Sequence, residues 1–181
     1  SEPFSLWDKE ELPKADAIVT NEKKLSVGVT TADCVPVLLA AKNTPFVAAI
    51  HAGWRGALAG VIENTVTLFA EKGISSKNIV AAIGPAIAQE SYEVGSEIRD
   101  IFLHKNVKNM AFFVQKTDKN NTYFFDLPGY VHHLLISLGL QNIDRVLVNT
   151  YADEEHFFSC RRNFHSDETR FGTQLSTIWI E

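Results

Sequence analysis

Residues 35–62 read VPVLLAAKNTPFVAAIHAGWRGALAGVI, and this segment predicts two strands followed by a helix. It opens with two wholly apolar runs, 35–41 and 46–50, which are separated by the turn-forming residues Asn43 and Pro45. A short apolar run bounded by turn residues is typical of a strand that is buried on both faces. The sequence therefore predicts two adjacent buried strands.

The period of the apolar residues changes after the glycine-rich segment 51–56. Side chains then recur at the spacing of one helical face, at Leu58, Val61, Ile62, Thr65 and Phe69. Gly73 follows, and glycine is common just beyond the end of a helix. The pattern predicts a helix over residues 57–72 that packs on the sheet.

The rest of the chain mixes strands and helices. Short β-branched or apolar runs predict strands at 17–20, 25–29, 79–83, 110–114, 122–125, 145–150 and 177–180. Helices are predicted over 95–105 and from Asp126, as N-cap, to just before Gly139. The expected fold class is α+β, a layered domain with mixed β-sheets flanked by helices in an α/β/β/α-like order. Because no repeat or linker divides the chain, residues 1–181 are expected to form one domain.

The composition excludes several classes of protein. The net charge is −5 and the basic residues are scattered, so no basic surface for nucleic acid is expected. No apolar run has the length of a membrane span, and no signal segment opens the chain. Cys34 and Cys160 are too few for a disulfide framework and are expected to be free thiols. The expectation is a cytoplasmic protein with a small, diffusible substrate, as a monomer or small homo-oligomer.

Cys34 and His51 are the first candidates for chemistry. Cys34 lies just before one predicted strand and His51 at the end of the next, so the two can meet at one edge of the sheet. Thiolate and imidazole are ligands that zinc prefers, and a catalytic zinc needs three protein ligands. The same pair would also suit a cysteine nucleophile with a histidine base. Taken alone, a buried cysteine is more often a packing residue.

The segment Gly53-Trp54-Arg55-Gly56 is the second candidate. It offers backbone N–H groups, an aromatic plane and a guanidinium at a predicted helix start, which suits an anion and a stacked base. The alternative is a tight connection from strand to helix with an exposed arginine.

Several motifs in order along the chain carry a family resemblance. They are TADCVP at 31–36, IHAGWRG at 50–56, IGPAI at 83–87, YEVG at 92–95, FDL at 125–127, and FFS at 157–159 followed by Arg161 and Arg162. Together they resemble the laccase-domain family, once named multicopper polyphenol oxidase and now understood as purine-nucleoside phosphorylases. The six histidines include no His-x-His pair, which argues against an imidazole-rich copper cluster.

The resemblance implies a zinc enzyme. Family members hold zinc with two histidines and one cysteine, convert adenosine, guanosine, inosine and methylthioadenosine with phosphate to base and ribose 1-phosphate, and also deaminate adenosine. By position, Cys34 and His51 match two ligands and are the expected metal and catalytic residues. The third ligand, a histidine, is expected upstream of Ser1, so the N-terminal segment of the domain is expected to be missing from this chain.

The expected substrate-binding residues are Asp33, Trp54, Arg55, Gly56 and Arg162. Arg55 is the first candidate for phosphate, with Arg161 or Arg162 second; Trp54 would stack on the purine, and Asp33 would orient a ligand or bind ribose hydroxyls. Two alternatives stay open: a Cys/His hydrolase, and a non-catalytic domain that binds nucleosides or a partner. Cys160 departs from the family pattern, which has an aromatic residue or histidine between the serine and the arginine pair.

Overall fold

The two apolar runs on either side of residue 43 form the centre of a five-stranded sheet. The computed structural model describes residues 14–166 and 172–181. The sheet contains β1 (Ala17–Thr20), β3 (Val35–Ala41), β4 (Val47–Ala52), β5 (Ile79–Ile83) and β9 (Asn142–Arg145) in the order β1-β4-β3-β5-β9. All neighbours are antiparallel except β5 and β9, which are parallel. Two smaller antiparallel sheets pair β2 (Val27–Thr31) with β10 (Gln174–Ile178), and β6 (Glu93–Gly95) with β8 (Thr122–Phe125) and β7 (Phe113–Gln115).

Both faces of the central sheet are covered, which explains why β3 and β4 are apolar throughout. Ala48 and Ile50 of β4 face the main core, which α2 (Val61–Glu71) and α4 (Leu127–Ser137) also line. Val47 and Ala49 face the opposite side, where they pack with residues of β2 and of the segment around β10. The resulting order of helices, central sheet and second sheet confirms the predicted α+β fold with layered, mixed sheets.

The predicted helix over 57–72 is in fact two helices. α1 (Trp54–Ala59) begins at the glycine-rich segment, and Gly60 separates it from α2 with φ of 96°. This left-handed conformation ends α1 and is favourable only for glycine. The predicted apolar face is confirmed, because Ile62, Thr65 and Phe69 are buried. The prediction of one continuous helix was wrong.

The remaining predictions had mixed outcomes. α3 (Ser96–Lys105) and α4 are confirmed, and the Asp126 side chain caps α4 by accepting from the Gly129 N–H. Instead of a strand over 145–150, the structure has β9 at Asn142–Arg145, followed by irregular chain. A 3₁₀ helix over Val107–Phe112 replaces part of the strand predicted at 110–114. The sequence analysis missed β6 and α5 (Cys160–His165), which are short. In the described part of the chain, no helix has the length and hydropathy that crossing a membrane requires.

Candidate active site

Strand register brings Cys34 and His51 to one side of the sheet. In the β3–β4 ladder, Val35 lies opposite Ala52 and Pro36 opposite His51. Continued by one residue, this antiparallel register sets Cys34 across from Gly53. Side chains that face each other across a ladder point to the same face, as do residues two apart in a strand. Cys34 and His51 therefore share a face, with Gly53 between them.

Gly53 leaves the space in which the two side chains converge. A Cβ at Gly53 would lie 3.1 Å from Cys34 Sγ and 3.8 Å from His51 Nε2, so both atoms border one point. The His51 backbone N–H is fixed by the Asp16 carbonyl at 2.7 Å, whereas its buried Nε2 has no hydrogen-bond partner within residues 14–166 and 172–181. A buried ring nitrogen without a partner is costly unless something else satisfies it.

These donors fit a zinc ion in chemical type. Zinc takes thiolate sulfur and imidazole nitrogen, and an Nε2 that no protein group satisfies is free to coordinate. Within residues 14–166 and 172–181, no group of three His, Cys, Asp or Glu side chains is arranged to hold a metal ion. Cys34 and His51 are thus two candidate ligands, one fewer than a catalytic zinc needs from the protein.

Burial strongly affects the Cys34 thiol. Its pKa is raised to about 11, first by burial and then by the charges of Asp33, Cys160 and Asp16. A neutral thiol is therefore the stable form at neutral pH in the absence of a cation. A bound zinc ion reverses this preference, because coordination deprotonates a thiol.

Asp33 connects this edge of the sheet to the C-terminal part of the chain. Its buried carboxylate accepts from Thr150 Oγ1 at 2.8 Å, Ser159 Oγ at 2.9 Å and the Arg161 N–H at 2.6 Å. Asp33 has φ of 82°, a left-handed conformation that aspartate tolerates better than most residues. The residue that precedes Cys34 is thus a structural link between two regions far apart in sequence.

A cavity of about 550 Å³ opens beside Cys34. Its wall consists of Ala32, Asp33, Cys34, Ile87, Tyr92, Leu127, Cys160, Arg161, Phe164 and His165. The volume lies within the usual range for small-molecule sites, about 300–1,000 Å³. The wall is apolar for the most part, with few polar groups, which is the usual composition of a site that orients an organic ligand.

Arg161 and Tyr92 form the polar side of the cavity. Arg161 Nη1 donates to the Glu93 carbonyl at 2.7 Å, and its guanidinium carbon lies 5.4 Å from the centre of the Tyr92 ring. Burial, more than the neighbouring charges, raises the pKa of Tyr92 to about 12. At neutral pH the site therefore presents a fixed cation beside a protonated hydroxyl.

Comparison with known proteins places the chain in a family. A sequence model described as multi-copper polyphenol oxidoreductase laccase matches residues 3–181. The chain belongs to this laccase family. The resemblance inferred from the motifs is confirmed.

Relatives of this laccase-family chain are named purine nucleoside phosphorylases. One from Rickettsia conorii is 42% identical over 167 residues, which are 92% of this chain and 68% of the relative. YfiH from Escherichia coli K12 is 41% identical over 170 residues, which are 92% of this chain and 64% of the relative. The chain thus spans about two thirds of the length of these relatives.

Solved structures share the fold of this laccase-family chain. A Neisseria meningitidis protein of the DUF152 family aligns with a TM-score of 0.83 and 31% identity, over 96% of this chain and 67% of that protein. The protein YfiH from Bacillus licheniformis aligns with a TM-score of 0.83 and 27% identity, over 92% of this chain and 61% of that one.

The structure separates the predicted substrate-binding residues into two groups. Of the five, only Asp33 lies in the wall of the cavity. Trp54, Arg55 and Gly56 form the first turn of α1, where the exposed Arg55 stacks on Trp54 at 4.3 Å. The Arg162 guanidinium donates to the carbonyls of residues 150, 151 and 157, so it holds the C-terminal loops together. The roles assigned to these residues toward substrate stay predictions.

Other residues of the wall were missed as site residues. Ile87 and Tyr92 belong to motifs that carry the laccase-family resemblance, but neither motif contains an obvious catalytic group. Phe164 and His165 lie in the α5 segment, where no sequence pattern indicated a pocket. His165 Nδ1 is 3.0 Å from the Tyr151 hydroxyl, a contact across the loops that only the folded chain reveals.

Proposed function

We propose that this chain catalyses the phosphorolysis of purine nucleosides at a zinc centre that includes Cys34 and His51. The single observation that carries the proposal is the convergence of Cys34 Sγ and the unpartnered His51 Nε2 on the open side of Gly53. The names of the relatives support the reaction class. The proposed substrates are adenosine, guanosine, inosine and methylthioadenosine with phosphate, in the cytoplasm, in keeping with two free thiols.

Zinc held by Cys34 and His51 would supply Lewis acidity and a water of lowered pKa, about 7, which adenosine deamination as a side activity would require. The family description names copper instead. Copper clusters are rich in imidazole, whereas the residues that converge on Gly53 are one thiol and one imidazole. Zinc is therefore the better match to this pair.

The remaining residues of the cavity have roles that follow from their chemistry. Arg161 would bind phosphate by charge-assisted hydrogen bonds, and the protonated Tyr92 hydroxyl would donate one more. Phosphate held there attacks the anomeric carbon of ribose as the bond to the base breaks. The apolar surfaces of Ile87, Leu127 and Phe164 would receive the base and exclude water. Asp33 would position Arg161 through its backbone N–H.

The same geometry argues against a cysteine hydrolase. A histidine base must be hydrogen-bonded to its nucleophile, but among the described residues His51 Nε2 has no hydrogen-bond partner. A cysteine hydrolase also needs a nucleophile that is a thiolate at neutral pH, whereas the pKa of Cys34 is raised to about 11. If iodoacetamide abolished an activity that zinc-free protein possesses, the hydrolase would be favoured instead.

The first test incubates adenosine with the protein, phosphate and zinc and separates the products by chromatography. We expect adenine and ribose 1-phosphate. His51→Ala should lower the rate by more than about 100-fold, because loss of even an outer partner of a metal ligand costs roughly 10- to 100-fold. His104→Ala is the matched control, since His104 is exposed on α3 and outside the cavity. Zinc-loaded protein without turnover would overturn the proposal.

A second test probes the space beside Gly53 without measuring activity. Gly53 has φ of −72°, which alanine adopts without strain, so Gly53→Ala should keep the fold. Its methyl group would occupy the point that Cys34 Sγ and His51 Nε2 border, so zinc uptake should fall by at least about tenfold. Zinc is measured by competition with a chromophoric chelator, and circular dichroism checks folding. Unchanged zinc affinity in folded Gly53→Ala would contradict the proposed centre.

A further inference from the structure

Both cysteines of the chain lie in the wall of the same cavity. Cys34 is partly buried just before β3, whereas Cys160 is exposed as the first residue of α5. The proposed function uses Cys34 and gives no role to Cys160. A thiol that solvent reaches and that shares a cavity wall with a second thiol is a candidate for oxidation, although desolvation and the charge of Asp33 raise the pKa of Cys160.

The contacts of Asp33 join the two segments that carry the cysteines. Asp33 precedes Cys34, and its Oδ2 accepts from Ser159 Oγ at 2.9 Å and the Arg161 N–H at 2.6 Å. Cys160 lies between these two donors in sequence. Its charge also contributes to the raised pKa of Cys34, after burial and Asp33, which is a second sign of proximity. A disulfide requires its two Cα atoms to be about 4.4–6.8 Å apart.

We propose that Cys160 is an oxidation site and that peroxide joins it to Cys34 in a disulfide across the cavity. Peroxide first oxidises the Cys160 sulfur to a sulfenic acid, as its O–O bond breaks and one water leaves. The Cys34 sulfur then attacks the Cys160 sulfur, the S–S bond forms, and a second water leaves. Two thiols and one hydrogen peroxide thus give one disulfide and two waters, and a dithiol reverses the step.

The disulfide would switch the site off. It converts the Cys34 sulfur from a potential thiolate ligand into a disulfide sulfur, and it draws α5 across the cavity. This consequence rests on the proposed zinc centre, whereas formation of the disulfide does not. The two can therefore fail separately.

The test treats zinc-free protein with a stoichiometric amount of hydrogen peroxide. Thiol titration should fall from both cysteines to none, the intact mass should fall by two hydrogens, and peptide mapping should join residues 34 and 160 in one molecule. Zinc uptake should be lost in the oxidised protein and restored by dithiothreitol. If the disulfide forms and zinc uptake is unchanged, the switch and the Cys34 zinc ligand are both overturned, while the oxidation site stands.

Two matched variants complete the design. Cys160→Ser and Cys34→Ser should each keep one thiol, show no internal disulfide, and gain oxygen or dimerise under the same treatment. Circular dichroism before treatment confirms that each variant is folded. Independent addition of oxygen to both cysteines of the wild type, with no residue 34–160 peptide, would overturn the proposal.

Discussion

The two walls of the candidate site are held in place by different forces. We call Cys34 and His51 the sheet wall of the site, although only Cys34 lines the cavity. Cys34 lies just before β3 and His51 near the end of β4, where a backbone ladder and a core on both faces fix them. The C-terminal wall, residues 150–165, contains one short helix and is held by side chains bonded to backbone, chiefly those of Arg162 and Asp33. The positions of the two proposed metal ligands therefore depend on the core, while the shape of the cavity depends on a few polar contacts.

The largest expected effect on the free energy of unfolding comes from a substitution in the core that supports the sheet wall. Phe69 on α2 is fully buried and its ring meets that of Phe46 at 4.7 Å. Phe69→Ala should lower the free energy of unfolding by about 3–5 kcal/mol, because it removes apolar contact and leaves a cavity. Urea denaturation measures the change. Leu68→Ala, on the same helix but 41% exposed, should change it by less than about 1 kcal/mol. Equal effects of the two variants would contradict this account of the core.

An intermediate effect on the free energy of unfolding is expected at Asp33, which joins the two walls. Asp33→Ala would leave the buried Thr150 and Ser159 hydroxyls and the Arg161 N–H without their acceptor, at a cost of roughly 2–4 kcal/mol. Asp33→Asn keeps an acceptor and tolerates the left-handed backbone, so it should cost less. Hydrogen exchange should increase over residues 150–165 in Asp33→Ala and stay slow in β3 and β4. Unchanged exchange in the C-terminal wall would show that the carboxylate does not hold it.

The same contrast explains which parts could be predicted from sequence. The strands at residues 17–20, 35–41 and 79–83 agree with the prediction because burial and backbone pairing act together there, and both leave a pattern in sequence. Residues 146–148 are apolar and two of the three are β-branched, yet they lie outside the sheet, and Leu147 is 82% exposed. The Val146 N–H still donates to the Ile83 carbonyl, but β5 ends at Ile83, so the residues after Val146 have no partner strand there and their local propensity is not used.

For the candidate site, spacing and ligand chemistry were sufficient to pair Cys34 with His51, since adjacent antiparallel strands bring their ends together. Sequence could not show that Asp33 accepts hydrogen bonds from residues more than 110 positions away. It also could not show that the Arg162 guanidinium donates its hydrogen bonds to backbone carbonyls. Those contacts join loops of irregular structure, which carry no periodicity. Of the three arginines that the sequence offered for phosphate, our proposal therefore keeps Arg161, a second candidate, in place of Arg55, the first.

The smallest effect on stability should accompany a clear effect on binding. Phe164 is 81% exposed although it lines the cavity, so Phe164→Ala should change the free energy of unfolding by less than about 0.5 kcal/mol. If the ring stacks on the purine, its loss should weaken nucleoside binding by about 0.5–1.5 kcal/mol, roughly two- to twelvefold in Kd. Phe158→Ala, 52% exposed and outside this cavity, is the matched control and should leave Kd unchanged. Calorimetric titration with adenosine distinguishes the two variants. Equal affinity for both would mean that the C-terminal wall excludes solvent without contacting the base.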